Sequence, residues 1–460
     1  MNLSGECHIA MDEDLWLEIE NSLSQITETA AVLIAGIATD SGGVTLLGRR
    51  LMWVPDDAYV TRTATRLTIA SQGYVPALGA AERDQSIAIF FHTHPGGDPS
   101  PSDLDEAVDA ELRNVFAART RSPWYASLIV GGTPSSPSFT GRLYDAESGQ
   151  SVQVSKARIV GQRLRVLEAA VGEGPDPLPA LDRQVRAFGR AGQQLLSRLR
   201  VGVVGAGGTG SAVCEQLIRM GVGQLVVLDD DVVDVTNLSR VHESETADLG
   251  RPKTELIVDR ARAIGLGSNA VGHAIRLRTP NAARLISRCD VVFGCTDDHF
   301  GRGVLSRLAY WYLVPVIDMG VLIGSVEGQI EDLLLRVTII SPHYACLLCR
   351  GRISPQLIQA EAMTADERIW RAAEGYAPGL DEPAPSVVTY TTLVGSLAVS
   401  ELLERLFGFG RGDRPGEVLV RVRDRSMHRN SVGGREGHYC VDRQLWGRGD
   451  REPFLGQLWP

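Results

Sequence analysis

The sequence predicts an α+β domain followed by an α/β domain with a mostly parallel sheet. Three observations predict it. Between residues 31 and 130, short strand-like runs surround one long polar helix, the mixture of an α+β unit. Residues 201–228 read strand, glycine turn, helix, strand, which is one βαβ unit. Between these regions, Val171–Ala180 (VGEGPDPLPA) mixes glycine, proline and acids with no period and marks a boundary. The predicted layout is a domain over 1–168, a linker over 169–180, a domain over 181–430 and a C-terminal tail over 431–460.

In chain order, the first domain opens on a helix, Asp14–Ile26. Strands follow at Ala31–Ala38, Val44–Leu47 and Ser86–Phe91, then the helix Asp103–Ala117 and a strand at Ala126–Val130. In the second domain, the β-branched run Val201–Val204 enters a glycine turn, Ser211–Met220 is helical and Gln224–Leu228 is a strand. Val291–Gly294 and Val314–Ile317 are apolar along their length, as parallel strands buried on both faces are. Tyr376–Pro385 (YAPGLDEPAP) reads as an exposed loop.

Composition narrows the function. A chain of 460 residues with 44% hydrophobic and 22% charged residues is an ordinary globular protein. No apolar run reaches the roughly 18 residues of a membrane span. Met1–Asp14 carries acids and no Lys or Arg, unlike a secretory or mitochondrial leader. A net charge of −10 argues against a nucleic-acid partner. Seven scattered cysteines do not form a disulfide framework, and a reducing cytoplasm is the expected location. Lys156 and Lys253 are the only lysines, against 44 arginines. A lysine at a motif position is therefore informative, and the scarcity would also limit self-modification.

Residues 91–105 read FHTHPGGDPSPSDLD. At the strand period of two, His92 and His94 leave one face and can grip one ion. Ser102 opens a helix, and Asp105 in its first turn can point back at both imidazoles. Two His and one Asp form a three-ligand set that leaves a fourth position for water, the arrangement of a catalytic zinc. The same Ser102-x-x-Asp105 spacing also fits a helix capping box.

The stretch resembles the JAMM motif of the JAB/MPN metallopeptidases: His-Thr-His-Pro, six residues, then Ser-x-x-Asp. The resemblance covers about residues 10–165. It implies zinc ligation by His92, His94 and Asp105, an oxyanion-stabilising hydrogen bond from Ser102, and cleavage after the C-terminal glycine of ubiquitin-like proteins. It also implies a glutamate ahead of an early strand as general base. Glu28 fits that place, with Glu18 and Glu20 as alternatives on the opening helix.

Residues 201–211 read VGVVGAGGTGS. Gly205, Gly207, Gly208 and Gly210 let backbone amides approach phosphate at a helix N-terminus. Asp229, 19 residues beyond Gly210, ends the next strand, where it can hold ribose hydroxyls. So far NAD fits as well. Arg240 and Lys253 discriminate, because a fork and a point charge aimed at one end of a ligand suit a triphosphate. The pattern is similar to the ThiF family, with a Rossmann-like fold shared with ubiquitin-activating and molybdopterin- and thiamine-activating enzymes. The resemblance runs from about Asp182 to Gly410 and includes Arg183-Gln184, Asp229 to Asp231, Asn237-Leu238-x-Arg240, Lys253 and Cys295-Thr296-Asp297-Asp298. It implies Mg2+ and ATP, with Asp229 on ribose, Asn237, Arg240 and Lys253 on phosphates, Asp297 on magnesium, and Arg183 reaching across a homodimer.

Cys346-Leu-Leu-Cys349 is a C-x-x-C pair. The family resemblance implies a second, structural Zn2+ on such a pair together with tail cysteines. Here the tail offers Cys440, and His438 or His343 would complete four ligands. The crossover loop Glu374–Ser386 has no cysteine, so adenylation without an internal thioester is expected.

The combined reading is a two-headed enzyme: a metallopeptidase joined to an adenylyltransferase, both acting on a ubiquitin-like protein that ends in glycine. The arrangement looks like bacterial ubiquitin-like conjugation systems, some tied to antiphage defence, with a conjugating-enzyme-like partner. The alternative is processing and activation of a sulfur-carrier protein for cysteine, thiamine or molybdopterin synthesis.

Overall fold

The computed structural model describes residues 5–40, 42–169, 176–363, 385–457 and 459. The chain divides into two compact units. The first takes in the chain up to Glu173 together with Trp311–Leu313 and Arg443–Leu455, and the second holds the remainder.

In the first unit, β1 (Glu6–Asp12) leads into α1 (Glu13–Ser22), then β2 (Ala30–Asp40), β3 (Gly43–Trp53), the hairpin β4 (Tyr59–Arg62) and β5 (Leu67–Ile69), and α2 (Val75–Arg83). There follow β6 (Ile87–Pro95), α3 (Asp103–Thr120), β7 (Trp124–Thr133), β8 (Ser136–Asp145), β9 (Ser151–Val160) and β10 (Leu164–Glu168). The sheet order is β1-β3-β2-β6-β7-β8-β9, and β1 also pairs with β9 in parallel, from Cys7↔Val154 to Asp12↔Val160. The sheet thus closes on itself, and β10 lies along β9. Closure leaves those strands without the open edge that invites mispairing.

Strand alternation divides the core. Ala31 and Leu33 of β2 pack with Trp16 and Ile19 of α1, while Val32 and Ile34 pack with Leu78 of α2 and Phe116 of α3. The sequence reading misses β1, whose acids at both ends obscure its buried middle. It also misses α2 and β8 to β10, and it reads β3 as four residues where the structure has eleven.

Within the stretch read as a C-terminal tail, 431–460, the segment Arg443–Leu455 returns to the first unit. Gly449 bridges to Ile37 in parallel. The Asp450 carboxylate accepts from the Tyr312 hydroxyl at 2.6 Å and from the Thr39 amide and hydroxyl at 2.7 and 3.0 Å. Arg49 donates to the carbonyls of Trp446 and Gln444 at 3.2 and 2.7 Å. A Cβ on Gly36 would stand 2.0 Å from the Gly447 carbonyl oxygen, so only glycine admits this strap. Its buried residues, Trp446, Phe454 and Leu455, follow no period, which is why the sequence carries no sign of it.

The second unit opens with α4 (Asp182–Leu196), β11 (Arg200–Val204), α5 (Gly208–Arg219), β12 (Gln224–Leu228), α6 (Lys253–Ile264), β13 (Asn269–His273) and α7 (Pro280–Ser287). It continues with β14 (Val291–Gly294), α8 (His299–Trp311), β15 (Val316–Val326), β16 (Gln329–Ile340), α9 (Pro355–Ala362), a long helix (Val388–Phe407), β17 (Glu417–Arg421) and β18 (Ser426–Asn430). The sheet order is β13-β12-β11-β14-β15-β16-β17-β18. It is parallel through β15 and antiparallel beyond. The expected short parallel strand at Val314–Ile317 is instead an eleven-residue strand. It reverses at Glu327 (φ 50) and Gly328 (φ 79), a two-residue turn that matches strand twist.

Residues 170–175 of the expected linker lie outside the described residues, as does the crossover segment Glu374–Ser386 but for its last two. Among the described residues, no helix is long and apolar enough to cross a membrane.

Candidate functional site

The first unit brings His92, His94 and Asp105 together. Both histidines end β6 on one face, and their Nε2 atoms stand 3.2 Å apart. The first turn of α3 sets Asp105 Oδ1 3.2 Å from His92 Nε2, and Oδ2 3.7 Å from His94 Nε2. Ligands bonded to a tetrahedral zinc at about 2.0–2.1 Å stand about 3.4 Å from one another, so the donor set fits that ion. His94 Nδ1 lies 2.8 Å from the Asp98 carbonyl. That bond fixes the tautomer and turns the Nε2 lone pair toward the cluster.

Ser102 is the N-cap of α3 and forms a capping box with Asp105. Its amide and hydroxyl donate to Asp105 Oδ2 at 2.8 and 2.7 Å. The capping box and the approach of Asp105 to the two imidazoles therefore coexist: the cap orients the Asp105 carboxylate. Against burial, which works the other way, hydrogen bonds from His92 and Ser102 hold the Asp105 carboxyl well below the usual range. Glu28 ends the approach to β2 and is 6% exposed. Burial raises its carboxyl above the ordinary value, while His92 and His94 pull it down. A raised pKa suits a group that takes and returns a proton. Of the alternatives, Glu18 is exposed and Glu20 pairs with Arg165 at 2.8 Å.

In the second unit, β11 feeds the glycine loop. Gly205 has φ +96, and a Cβ on Gly210 would stand 1.8 Å from the Gly205 oxygen, so both positions require glycine. Gly207 is the N-cap of α5, and a Cβ there would meet nothing within 4 Å. The first turn of α5, which begins at Gly208, presents its unpaired amides there. Asp229 follows β12 and accepts from the amides of Ala206 at 2.5 Å and Asp231 at 2.8 Å. Its carboxyl is raised chiefly by burial. Lys253, 7% exposed, donates to Asp231 at 2.8 Å. Arg240 donates to the Thr236 carbonyl at 2.9 Å, and Asn237 is buried at its own short turn. Beyond β14, Asp298 accepts from Thr296 and from the Gly301 amide at 2.5 and 2.6 Å, which leaves Asp297 exposed. Arg183 is exposed on α4. The sequence reading passed over Arg276, which pairs with Asp230 at 2.9 Å.

The same unit gathers Cys346, Cys349, His438 and Cys440 within 4.8 Å of one another. Cys349 and Cys440 sulfurs are 3.7 Å apart, and His438 Nδ1 is 3.5 Å from Cys346 and 3.4 Å from Cys440. Sulfurs bonded to a tetrahedral zinc at about 2.3 Å stand about 3.8 Å apart, so this set also fits. A hydrogen bond from Cys440 pushes the Cys346 thiol down to about 5, while Cys349 and Cys440 are pushed up. The choice between His438 and His343 falls to His438. His-x-Cys at a period of two was the available signal.

The ThiF family profile matches residues 181–432, more than half of the chain. An adenylyltransferase and sulfurtransferase UBA4 of Meyerozyma guilliermondii is 33% identical over 32% of this chain and 34% of its own length. The molybdopterin-synthase adenylyltransferase of Salmonella typhimurium is 35% identical over 36% of this chain and 66% of its own. The protein of that name in Escherichia coli is 30% identical over 50% and 82%. The chain thus spans a third to just under two thirds of the length of the first two relatives. Among solved structures, E. coli MccB with ATP aligns at 16% identity over 58% of this chain and 75% of its own, with a TM-score of 0.44.

Proposed function

The chain belongs to the ThiF family, and on that premise we propose that its second unit adenylates the C-terminal glycine of a small sulfur-carrier or ubiquitin-like protein. The observation that carries the proposal is the glycine-loop helix N-terminus with Asp229, Arg240 and Lys253 grouped about it. The amides of α5 and the side chains of Asn237, Arg240 and Lys253 would hold the triphosphate of ATP, and Asp229 the ribose. Asp297 would hold Mg2+, which neutralises phosphate charge. The carrier carboxylate attacks the α-phosphorus, the bond to the bridging oxygen breaks, and pyrophosphate leaves. Positioning and electrostatics do most of this work. Arg183 would reach the triphosphate of a partner subunit in a homodimer.

The relatives' names favour a sulfur carrier over the conjugation reading that the sequence analysis puts first. The test is pyrophosphate exchange into ATP that depends on a carrier ending in glycine. Mass spectrometry then reads the fate of the adenylate: sulfur gained for oxygen at the C-terminus supports the carrier reading.

The His92, His94 and Asp105 cluster favours a second activity on the first unit: zinc-dependent hydrolysis of a bond after that same glycine. These residues would hold the zinc, which lowers the pKa of a bound water to about 7. Glu28 would take a proton and pass it to the leaving amine. Ser102 would keep Asp105 aligned through its amide, and its hydroxyl, turned away from Asp105, would donate to a developing oxyanion. This activity would trim a carrier precursor or, in a conjugation system, remove the conjugated protein. Zinc-dependent release of an amine from a carrier's C-terminal glycine tests it. Cys346, Cys349, His438 and Cys440 would hold a second, structural zinc.

A further inference from the structure

The hairpin of β4 and β5 has no place in the reactions above, yet it grips the segment that carries Glu28. Arg62 donates through Nε to the Glu28 carbonyl at 2.9 Å and through Nη2 to the Thr29 hydroxyl at 2.9 Å. Its third nitrogen reaches Asp56 at 2.9 Å, and its guanidinium lies 4.5 Å from the centre of the Tyr59 ring. The Tyr59 hydroxyl accepts from the Ala30 amide at 3.0 Å. The Glu28 amide donates to the Thr63 carbonyl at 2.8 Å. On the other side, the Thr29 amide donates to the Thr93 hydroxyl at 3.0 Å, between the two histidines.

Residues 28–30 are therefore held by the hairpin on one flank and by the histidine strand on the other. Strand β2 alone does not fix Glu28, which precedes its first paired residue, Ala30. We propose that Arg62 is a positioning residue for Glu28, and that the hairpin serves as a clasp holding the general base against the metal-binding histidines. The inference rests on the hydrolytic reading of the first unit. Its chemical sense is geometric: the fork, braced on Asp56, holds the Glu28 carbonyl and the Thr29 hydroxyl in direction as well as distance, and small displacements of a catalytic group cost up to about 100-fold in rate.

The test uses the full chain loaded with zinc, and a carrier whose C-terminal glycine is amide-linked to a fluorescent amine. Arg62→Ala should lower kcat about 10- to 100-fold, with KM and zinc affinity, read by chelator competition, within about twofold. Arg62→Lys should restore part of the loss, and Tyr59→Phe should cost less than Arg62→Ala. Hydrogen exchange at the Glu28–Ala30 amides should quicken in Arg62→Ala while β6 stays protected. An unchanged kcat or unchanged exchange in an active enzyme overturns the clasp alone. Zinc affinity falling in step with kcat also overturns it, since Arg62 would then be a general brace. A native chain that binds zinc and releases no amine overturns the hydrolytic reading, and the positioning role with it.

Discussion

The two candidate metal centres of this chain are built on opposite plans. His92, His94 and Asp105 come from one strand end and the helix after it, within 14 residues of sequence. Cys346, Cys349, His438 and Cys440 come from two stretches about 90 residues apart and are largely buried. The first set offers three donors with a buried carboxyl beside them. The second offers four donors, three of them sulfur. Three donors leave room for a reacting oxygen, whereas four close the coordination shell and tie chain segments together. Ligand number and neighbours, more than the ion, separate a site that reacts from one that only holds.

The sharpest way to break that contrast is Glu28→Gln. Hydrolysis should fall by about 10²–10⁴-fold, the usual worth of a general base, with the zinc content unchanged by elemental analysis. Lys253→Ala should cut pyrophosphate exchange by about 10²–10³-fold and leave both metals and hydrolysis intact. Cys349→Ser should remove one zinc per chain and destabilise the second unit by about 3 kcal/mol. That is roughly 6–12 °C on its unfolding midpoint by calorimetry, with hydrolysis retained.

A control without metal sharpens the comparison further. Asp318 is fully buried between Arg302 and Arg336, at 2.9 and 2.7 Å. Against burial, which raises it, those two arginines hold its carboxyl below the usual carboxylate range. Stability from a depressed carboxyl is present above the unfolded value and lost as pH falls through the folded one. Asp318→Asn should therefore cost about 3–5 kcal/mol at neutral pH, and the gap should close only below about pH 4. A gap that narrows between pH 8 and 6 would show that some other group is responsible.

Local spacing made much of this legible. His92-x-His94, Ser102-x-x-Asp105 and the glycine loop each lie within a few residues, and each is placed by the period of one strand or the cap of one helix. What stayed hidden was assembled over distance. Arg62 lies 34 residues from Glu28, and no local pattern marks a side chain that serves a backbone carbonyl. His438 was recognisable only as one of two options, because its partners come from a separate stretch. The antiparallel half of the second sheet escaped because the run after Val316 keeps its apolar character past the point where a parallel strand would stop.

The strap has a consequence in time. A ribosome finishes residue 173 long before residue 455, and at roughly 5–20 residues per second the interval is about 15–55 s. During that interval Gly36, Thr39 and Arg49 face water where the strap will lie. The unit encoded first thus waits for residues near the end of the chain, and a message broken midway leaves that unit without its strap.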